Sequence, residues 1–259
     1  MITSPPPLSQ CRVLLTNDDG IGAPGLLLLE ELVRPLVAAL VVVAPEVNQS
    51  GCGHTVAVAR PLRLSKRDDT HYAVNGTPPD AVLIGAREIM KDNPPQLVLS
   101  GVNEGKNISE YVHYSGTCAA CYEAGLLGLP SVAFSQDNGG RAVDFDATRG
   151  WLANVLGKLL TQPWPGDCFI NVNFPACPSV QVQGLELTRL GRVLQGTGFA
   201  QVTDPRGRVH YWNDWRDDVL DAVDAAAGTD LAALAASKVT VTPVSIDQTD
   251  RAALAKMNL

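Results

Sequence analysis

An α/β fold, with a Rossmann-like, mostly parallel sheet and helices on both faces, is what this sequence predicts. Two observations carry the prediction. Short apolar runs rich in valine and leucine alternate with segments of helical spacing over the first two-thirds of the chain, the signature of successive βαβ units. Polar turns, most of them with glycine, follow several of those runs, and the carboxyl ends of strands are where an open α/β sheet binds ligands.

In chain order, Arg12–Thr16 (RVLLT) predicts a buried strand. Pro24–Leu40 has apolar residues at helical spacing, with Pro24 suited to a first turn. Leu40–Ala44 (LVVVA) predicts the second strand. The turn Asn75-Gly76-Thr77-Pro78-Pro79 leads to a helix at Ala81–Met90, and Gln96–Ser100 (QLVLS) predicts the third strand. A helix at Thr117–Leu127, a fourth strand at Ser131–Ser135, a helix at about Asp146–Leu160 and a strand at Phe169–Asn173 follow. After about Gly184 the character changes. Val193–Thr203 and Arg208–Trp212 flank Asp204-Pro205-Arg206-Gly207 and predict a projecting β-hairpin. Asp217–Lys238 predicts an alanine-rich helical stretch, and Val239–Ile246 alternates as a strand does. The expected organisation is a single domain over residues 1–259, with a Rossmann-like core at about 11–184 and the hairpin and C-terminal segment at about 185–259.

Composition narrows the class. Of 259 residues, 46% are hydrophobic and 18% charged, enough apolar content for a sizeable core. No apolar run reaches the ~20 residues that span a bilayer. The opening MITSPPPLSQ has neither the basic nor the apolar region of a signal peptide. A cytoplasmic protein with no membrane partner is expected. The net charge is −7 and no basic stripe is visible, which argues against duplex nucleic acid as a partner. A small phosphorylated ligand fits, because a metal ion or backbone N–H groups supply local positive charge. Among the six cysteines, Cys118 and Cys121 form a C-x-x-C without a second pair at zinc spacing. Buried thiols on a helix is the preferred reading.

The segments expected at the strand ends carry the chemistry. Asn17-Asp18-Asp19-Gly20 follows the first strand, Pro45 to Gly51 the second, and Gly101 to Asn107 the third; Tyr114-Ser115-Gly116-Thr117 opens a helix. Adjacent carboxylates at a buried strand's end repel unless a cation or hydrogen bonds neutralise them. Oxygen ligands from Asp18, Asp19, a serine hydroxyl and an asparagine carbonyl suit Mg²⁺, Mn²⁺ or Ca²⁺; a helix cap and a turn are the plainer roles for an isolated Asp-Asp. The helix start at Ser115-Gly116-Thr117 would present N–H groups to a phosphate, with Asn107 as a side-chain donor; an ordinary N-cap is the alternative. His54 and His113 are candidate proton donors in these loops, or plain loop residues.

Gly20-Ile21-Gly22-Ala23-Pro24-Gly25 matches G-x-G-x-x-G, with Glu46 about 20 residues on as in a dinucleotide fingerprint, which would make the chain an NAD(P)-binding oxidoreductase. Against this, Asp18 and Asp19 would face the pyrophosphate, and Pro24 lacks a backbone donor. A non-catalytic nucleotide-binding protein is the other alternative. An aspartyl-phosphate mechanism of the D-x-D type lacks its spacing here.

These residues resemble the SurE family. Leu14-Leu15-Thr16-Asn17-Asp18-Asp19-Gly20-Ile21 with Ala23-Pro24-Gly25, then Val43-Ala44-Pro45 with Asn48-Gln49-Ser50-Gly51, then Asn75-Gly76-Thr77-Pro78-Pro79-Asp80, then Ser100 to Asn107 with Tyr114-Ser115-Gly116-Thr117, match its blocks in order. Beyond them the match thins to Asn171-Val172-Asn173-Phe174-Pro175, Pro205-Arg206-Gly207 and Thr242-Pro243-Val244. The resemblance implies a 5′/3′-nucleotidase that hydrolyses nucleoside 5′- and 3′-monophosphates, with short polyphosphate a further substrate of some members. It implies one divalent metal ion per subunit, Mg²⁺ or Mn²⁺, held by Asp18, Asp19, Ser50 and Asn103. It implies phosphate contacts from Asn107, Ser115, Gly116 and Thr117, and a homodimer or homotetramer with an exchanged C-terminal arm. The expected chemistry is metal-assisted hydrolysis by an activated water, with Asp18 or Asp19 as catalytic base; direct carboxylate attack stays open. The chain departs from the family pattern at Ser109, Tyr111, Cys118 and Ala124, where glycine, aspartate, valine and glycine are usual.

Overall fold

The computed structural model describes residues 2–195, 198–214 and 220–257. The strands run in chain order β1 (Arg12–Thr16), β2 (Ala39–Pro45), β3 (Leu64–Lys66), β4 (His71–Val74), β5 (Leu97–Glu104), β6 (Ser131–Gln136), β7 (Cys168–Phe174), β8 (Leu185–Leu187), β9 (Arg192–Gln195), β10 (Gly198–Thr203), β11 (Val209–Asp214), β12 (Leu220–Asp224) and β13 (Val239–Ser245). The helices are α1 (Pro24–Val33), α2 (Pro78–Ile84), α3 (Gly116–Leu126), α4 (Asp146–Leu160), α5 (Asp230–Ala235) and α6 (Arg251–Leu254).

The main sheet has nine strands in the order β3-β4-β2-β1-β5-β6-β7-β13-β8. From β4 to β7 all neighbours are parallel. β3 and β13 pair antiparallel with β4 and β7, and β8 runs parallel to β13. Alternation along β1 sends Val13 and Leu15 to one face and Leu14 to the other. Leu26, Leu29 and Val33 of α1, with Leu152 and Val155 of α4, cover the first face. Ala81 and Val82 of α2, with Ala120 and Ala124 of α3, cover the second. Each fully buried leucine in these layers stabilises the fold by about 1.5–3 kcal/mol, so helices on both faces fix the central strands' register.

Several local expectations are corrected. The helix expected at Pro24–Leu40 stops at Val33, and Arg34–Leu36 forms a 3-10 turn; Pro35 has no N–H to continue the ladder. The helix expected at Ala81–Met90 begins earlier, at Pro78, and passes at Gly85–Ile89 into a π-helical turn. β5 runs past Ser100 to Glu104. The hairpin around Asp204–Gly207 forms from β10 and β11, but β9 pairs separately with β12. The helical stretch expected at Asp217–Lys238 is a strand at Leu220–Asp224 and a helix only at Asp230–Ala235; residues 217–219 lie outside the described ones. β3, β4 and β8 add strands that the sequence reading did not contain.

Gly25 explains how α1 seats on β5. A Cβ there would lie 1.9 Å from the Val102 carbonyl oxygen, so only glycine allows this helix–strand approach. Among the described residues no helix is long and apolar enough to cross a membrane.

Candidate active site

β2 and β5 flank β1 on opposite sides, so the strand order reverses at β1, and the crevice beyond its carboxyl end is the ligand position of such sheets. Asp18 and Asp19 stand there. Asp18 is buried, and the Thr117 hydroxyl donates to its Oδ1 at 2.5 Å. Backbone N–H groups of Gly116 and Thr117 also hold this carboxylate. A Cβ on Gly116 would lie 2.6 Å from the Asp18 Cβ, so glycine is what lets the start of α3 close on the strand end. The Gln49 N–H donates to the Asp18 carbonyl at 2.7 Å. Asp19 accepts from Asn48 Nδ2 at 3.3 Å and from the Glu104 N–H at 3.4 Å. Groups from the segments ending β1, β2 and β5 and opening α3 thus meet at the two carboxylates.

The electrostatics are uncompensated. Burial pushes the Asp18 carboxyl up, against the Thr117 hydroxyl and the amides. Burial, then the Asp18 charge, push Asp19 up to about 7. No described lysine, arginine or histidine pairs with either carboxylate. Desolvated like charges of this kind call for a cation. Neutral oxygens are at hand. Asn103 Nδ2 donates to the Gly105 carbonyl at 2.8 Å, which leaves Oδ1 as an acceptor. Asn17 Nδ2 donates to the Gly20 carbonyl at 2.9 Å, and its Oδ1 is buried without a partner. Ser50 is exposed on the loop after β2, its N–H bonded to Asn48 Oδ1 at 2.7 Å. Such an all-oxygen set fits a hard divalent cation. Among the described residues no three His, Cys, Asp or Glu side chains group to hold a metal, so the set relies on two carboxylates plus neutral oxygens.

Ser115 is the N-cap of α3, its Oγ accepting from the Cys118 N–H at 3.1 Å. Its hydroxyl and that of Thr117 are therefore both engaged, and the anion held at this helix start is Asp18. Asn107 is buried and held from three sides: Nδ2 donates to Ser135 Oγ at 2.9 Å, its N–H to Asn173 Oδ1 at 2.7 Å, and its carbonyl accepts from Asn171 Nδ2 at 2.7 Å. Sequence reasoning gave Asn171 and Asn173 no place at the site. Their signal was two amides at alternate positions, on one side of an otherwise apolar strand.

His54 Nε2 lies 2.8 Å from Glu123 Oε2, a pairing that links residues 69 apart in sequence; His113 is exposed. All six cysteines are free thiols. Burial pushes Cys118 up to about 12 and raises Cys121 as well, so both are inert packing groups on α3. The glycine turn 20–25 uses its amides internally: the Ile21 N–H donates to the Pro45 carbonyl at 2.8 Å and the Ala23 N–H to the Gly20 carbonyl at 3.0 Å. That leaves little to cradle a pyrophosphate.

Fold and site define a doubly wound α/β domain with a paired-carboxylate site at its switch point. The chain belongs to the survival protein SurE family, whose profile matches residues 13–196. It is 44% identical over 249 residues to the 5′-nucleotidase SurE of Nitrobacter hamburgensis, covering 93% of this chain and 96% of that one. It is 46% identical over 249 residues to the 5′-nucleotidase SurE of Rhodopseudomonas palustris strain BisB18, covering 92% and 95%. The crystal structure of the SurE protein from Aquifex aeolicus superposes with a TM-score of 0.80 at 36% identity, over 95% of this chain and 98% of that one.

Proposed function

We propose that this protein is a metal-dependent nucleotidase that hydrolyses nucleoside 5′- and 3′-monophosphates to nucleoside and phosphate. The observation that carries the reading is the desolvated Asp18–Asp19 pair, without a cationic partner among the described residues, facing the first turn of α3. The relatives' nucleotidase names support it.

In this reading Asp18, Asp19, Ser50 and Asn103 hold one Mg²⁺ or Mn²⁺ ion. The ion supplies positive charge for the phosphoryl oxygens and for the attacking water. The chain's own groups do the rest. Asn107 carries a second amide N–H beyond the one given to Ser135, and it is held rigidly enough to orient a phosphate. Gly116 keeps the α3 start close, while the Ser115 cap and the Thr117–Asp18 bond hold that turn in place as charge spreads over the phosphoryl group. Asp18 or Asp19 is the group that takes a proton from the attacking water. Short polyphosphate, a cytoplasmic location and a homodimeric or homotetrameric state belong to the same proposal.

The test is inorganic phosphate release from a panel of 5′- and 3′-nucleoside monophosphates with Mn²⁺, with Mg²⁺ and with EDTA. Release with either metal that EDTA abolishes is the expected result. A folded, metal-loaded protein that binds the nucleotides and releases no phosphate would make it a non-catalytic binder.

A further inference from the structure

Lys106 precedes Asn107 on the loop that leaves β5. Its ammonium lies 3.6 Å from Asp137 Oδ1, and the two side chains are 20% and 15% exposed. At that distance the contact is an ion pair and too long for a hydrogen bond. The three N–H donors of this largely buried lysine are therefore not spent on Asp137. Asp137 in turn accepts the Gly139 N–H at 3.1 Å, so its carboxylate has a hold besides the lysine.

The end of β6 sets where this ammonium lies. Ser131 faces α3, its Oγ donating to the Cys121 carbonyl at 2.8 Å. Gln136 turns to the opposite face, its Oε1 accepting from the Thr148 hydroxyl of α4 at 2.8 Å. Strand alternation therefore puts Ser135, and Asp137 beyond Gln136, on the α3 side, about 7 Å apart. The Asp137 N–H still pairs with the Phe174 carbonyl at 2.9 Å, so the ladder runs on to it. Ser135 holds the Asn107 amide at 2.9 Å, and Asp137 holds the Lys106 ammonium. The left-handed turn at Gly105, φ 124°, with its N–H on the Gln136 carbonyl at 2.9 Å, lays both residues over the strand end. Amide and ammonium thus stand side by side on the face where α3 begins. Two charge-assisted hydrogen bonds of about 2.8 Å, with the width of a phosphate group between them, span roughly 8 Å. One phosphate can join the two donors.

We infer that Lys106 is a further phosphate-binding residue of the same site, its ammonium meeting the phosphate that Asn107 orients while Asp137 holds the side chain between substrates. The inference rests on the nucleotidase reading for the position of the phosphate, but its first test needs no turnover. A lysine suits this duty, being a compact charge on a flexible stem. A doubly charged phosphate attracts it more strongly than one carboxylate at the same distance, and the ammonium offsets the repulsion of an anion by Asp18 and Asp19.

The experiment is calorimetric titration of inorganic phosphate into the full-length protein with Mg²⁺, for the wild type, Lys106→Met, Lys106→Arg and Asp137→Asn. Phosphate release from 5′-AMP is measured in parallel. Lys106→Met keeps the apolar stem and loses the charge. It is expected to weaken phosphate binding, and to lower kcat/KM for 5′-AMP, by about tenfold or more, and Lys106→Arg to recover part of both losses. Asp137→Asn removes a competing anion and should bind phosphate at least as tightly as the wild type. Circular dichroism melts confirm that the variants fold, and Lys106→Gln is the second variant should Lys106→Met unfold. A lysine that only pins the loop would give equal weakening in Lys106→Met and Asp137→Asn. That result, unchanged phosphate affinity in Lys106→Met, or absence of phosphate binding by the wild type overturns the assignment. Phosphate binding that needs Lys106, without release from 5′-AMP, leaves the anion contact standing and removes the nucleotidase reading; release from 5′-AMP with affinity and turnover unchanged in Lys106→Met does the reverse.

Discussion

Ser109 takes φ 51°, a left-handed conformation that a side chain rarely adopts, and its hydroxyl is buried without a partner. Its N–H donates to Asp230 Oδ2 at 2.8 Å, which holds it there. Glycine, the residue usual in the family here, removes both costs. Ser109→Gly is expected to stabilise the protein by about 1–2 kcal/mol, read as a higher urea midpoint at unchanged slope. The carboxylates give the opposite kind of test. Asp18→Asn keeps the shape and the Thr117 contact but removes a charge; turnover should fall by about 100-fold or more while the metal-free melting temperature does not drop. Both carboxyls have folded pKa values raised by burial. Their stabilising contribution is therefore complete below the ordinary carboxylate range and is lost as pH rises through about 7, the Asp19 value. Metal-free wild type should lose melting temperature from pH 5 to 8 in EDTA, and Asp19→Asn should flatten that fall. An unchanged slope would remove Asp19 as its source. From sequence, the adjacency of Asp18 and Asp19 and their place at a strand end were readable. The partners were not, because Thr117 and Asn48 reach the pair only through the sheet's long-range order.

At the scale of elements, α2 shows how a helix start is built. Thr77 and Asp80 form a capping box, and the fully buried Asp80 carboxylate accepts the Thr77 N–H at 3.0 Å and the Ala57 N–H at 3.0 Å. Asp80→Ala strands these donors and should cost about 2–4 kcal/mol, measured by chemical unfolding. The motif Asn75-Gly76-Thr77-Pro78-Pro79-Asp80 announced this turn in the sequence, as the short apolar runs announced β1, β2, β5 and β6. Local composition misled where pairing overrides it. The alanines at 222–236 favour a helix, yet β12 is drawn into a ladder with β9, and Gly228 at φ 85° breaks the chain before the Thr229 cap of α5. β3 and β4 escaped notice because they are short, only partly buried and set among charged residues; β4 exists by lying beside β2.

The whole molecule carries a hairpin, β10–β11, that forms a two-stranded sheet of its own. Such a pair is marginal alone in water. Strand alternation puts Phe199 and Tyr211 on one side and Trp212 on the other, and all three are more than 60% exposed. Aromatics on both sides of an isolated ribbon fit the subunit contacts of the proposed oligomer. Sedimentation equilibrium should give a dimer or tetramer, and Phe199→Asp with Trp212→Asp should shift it toward monomer; a monomeric wild type would remove the oligomer from the proposal. The same ribbon bears on the site through Asp230. One carboxylate oxygen holds the Ser109 amide, and the other holds the Gly191 amide at 2.7 Å, where the chain departs toward the ribbon. Arg189 and Gly228 close the neck with a bond of 3.0 Å. In engineering language the ribbon is a cassette with a clasp. Arms of other lengths can be grafted at the neck without re-registering the sheet, whereas cutting the clasp would loosen the segment that leads into Ser115.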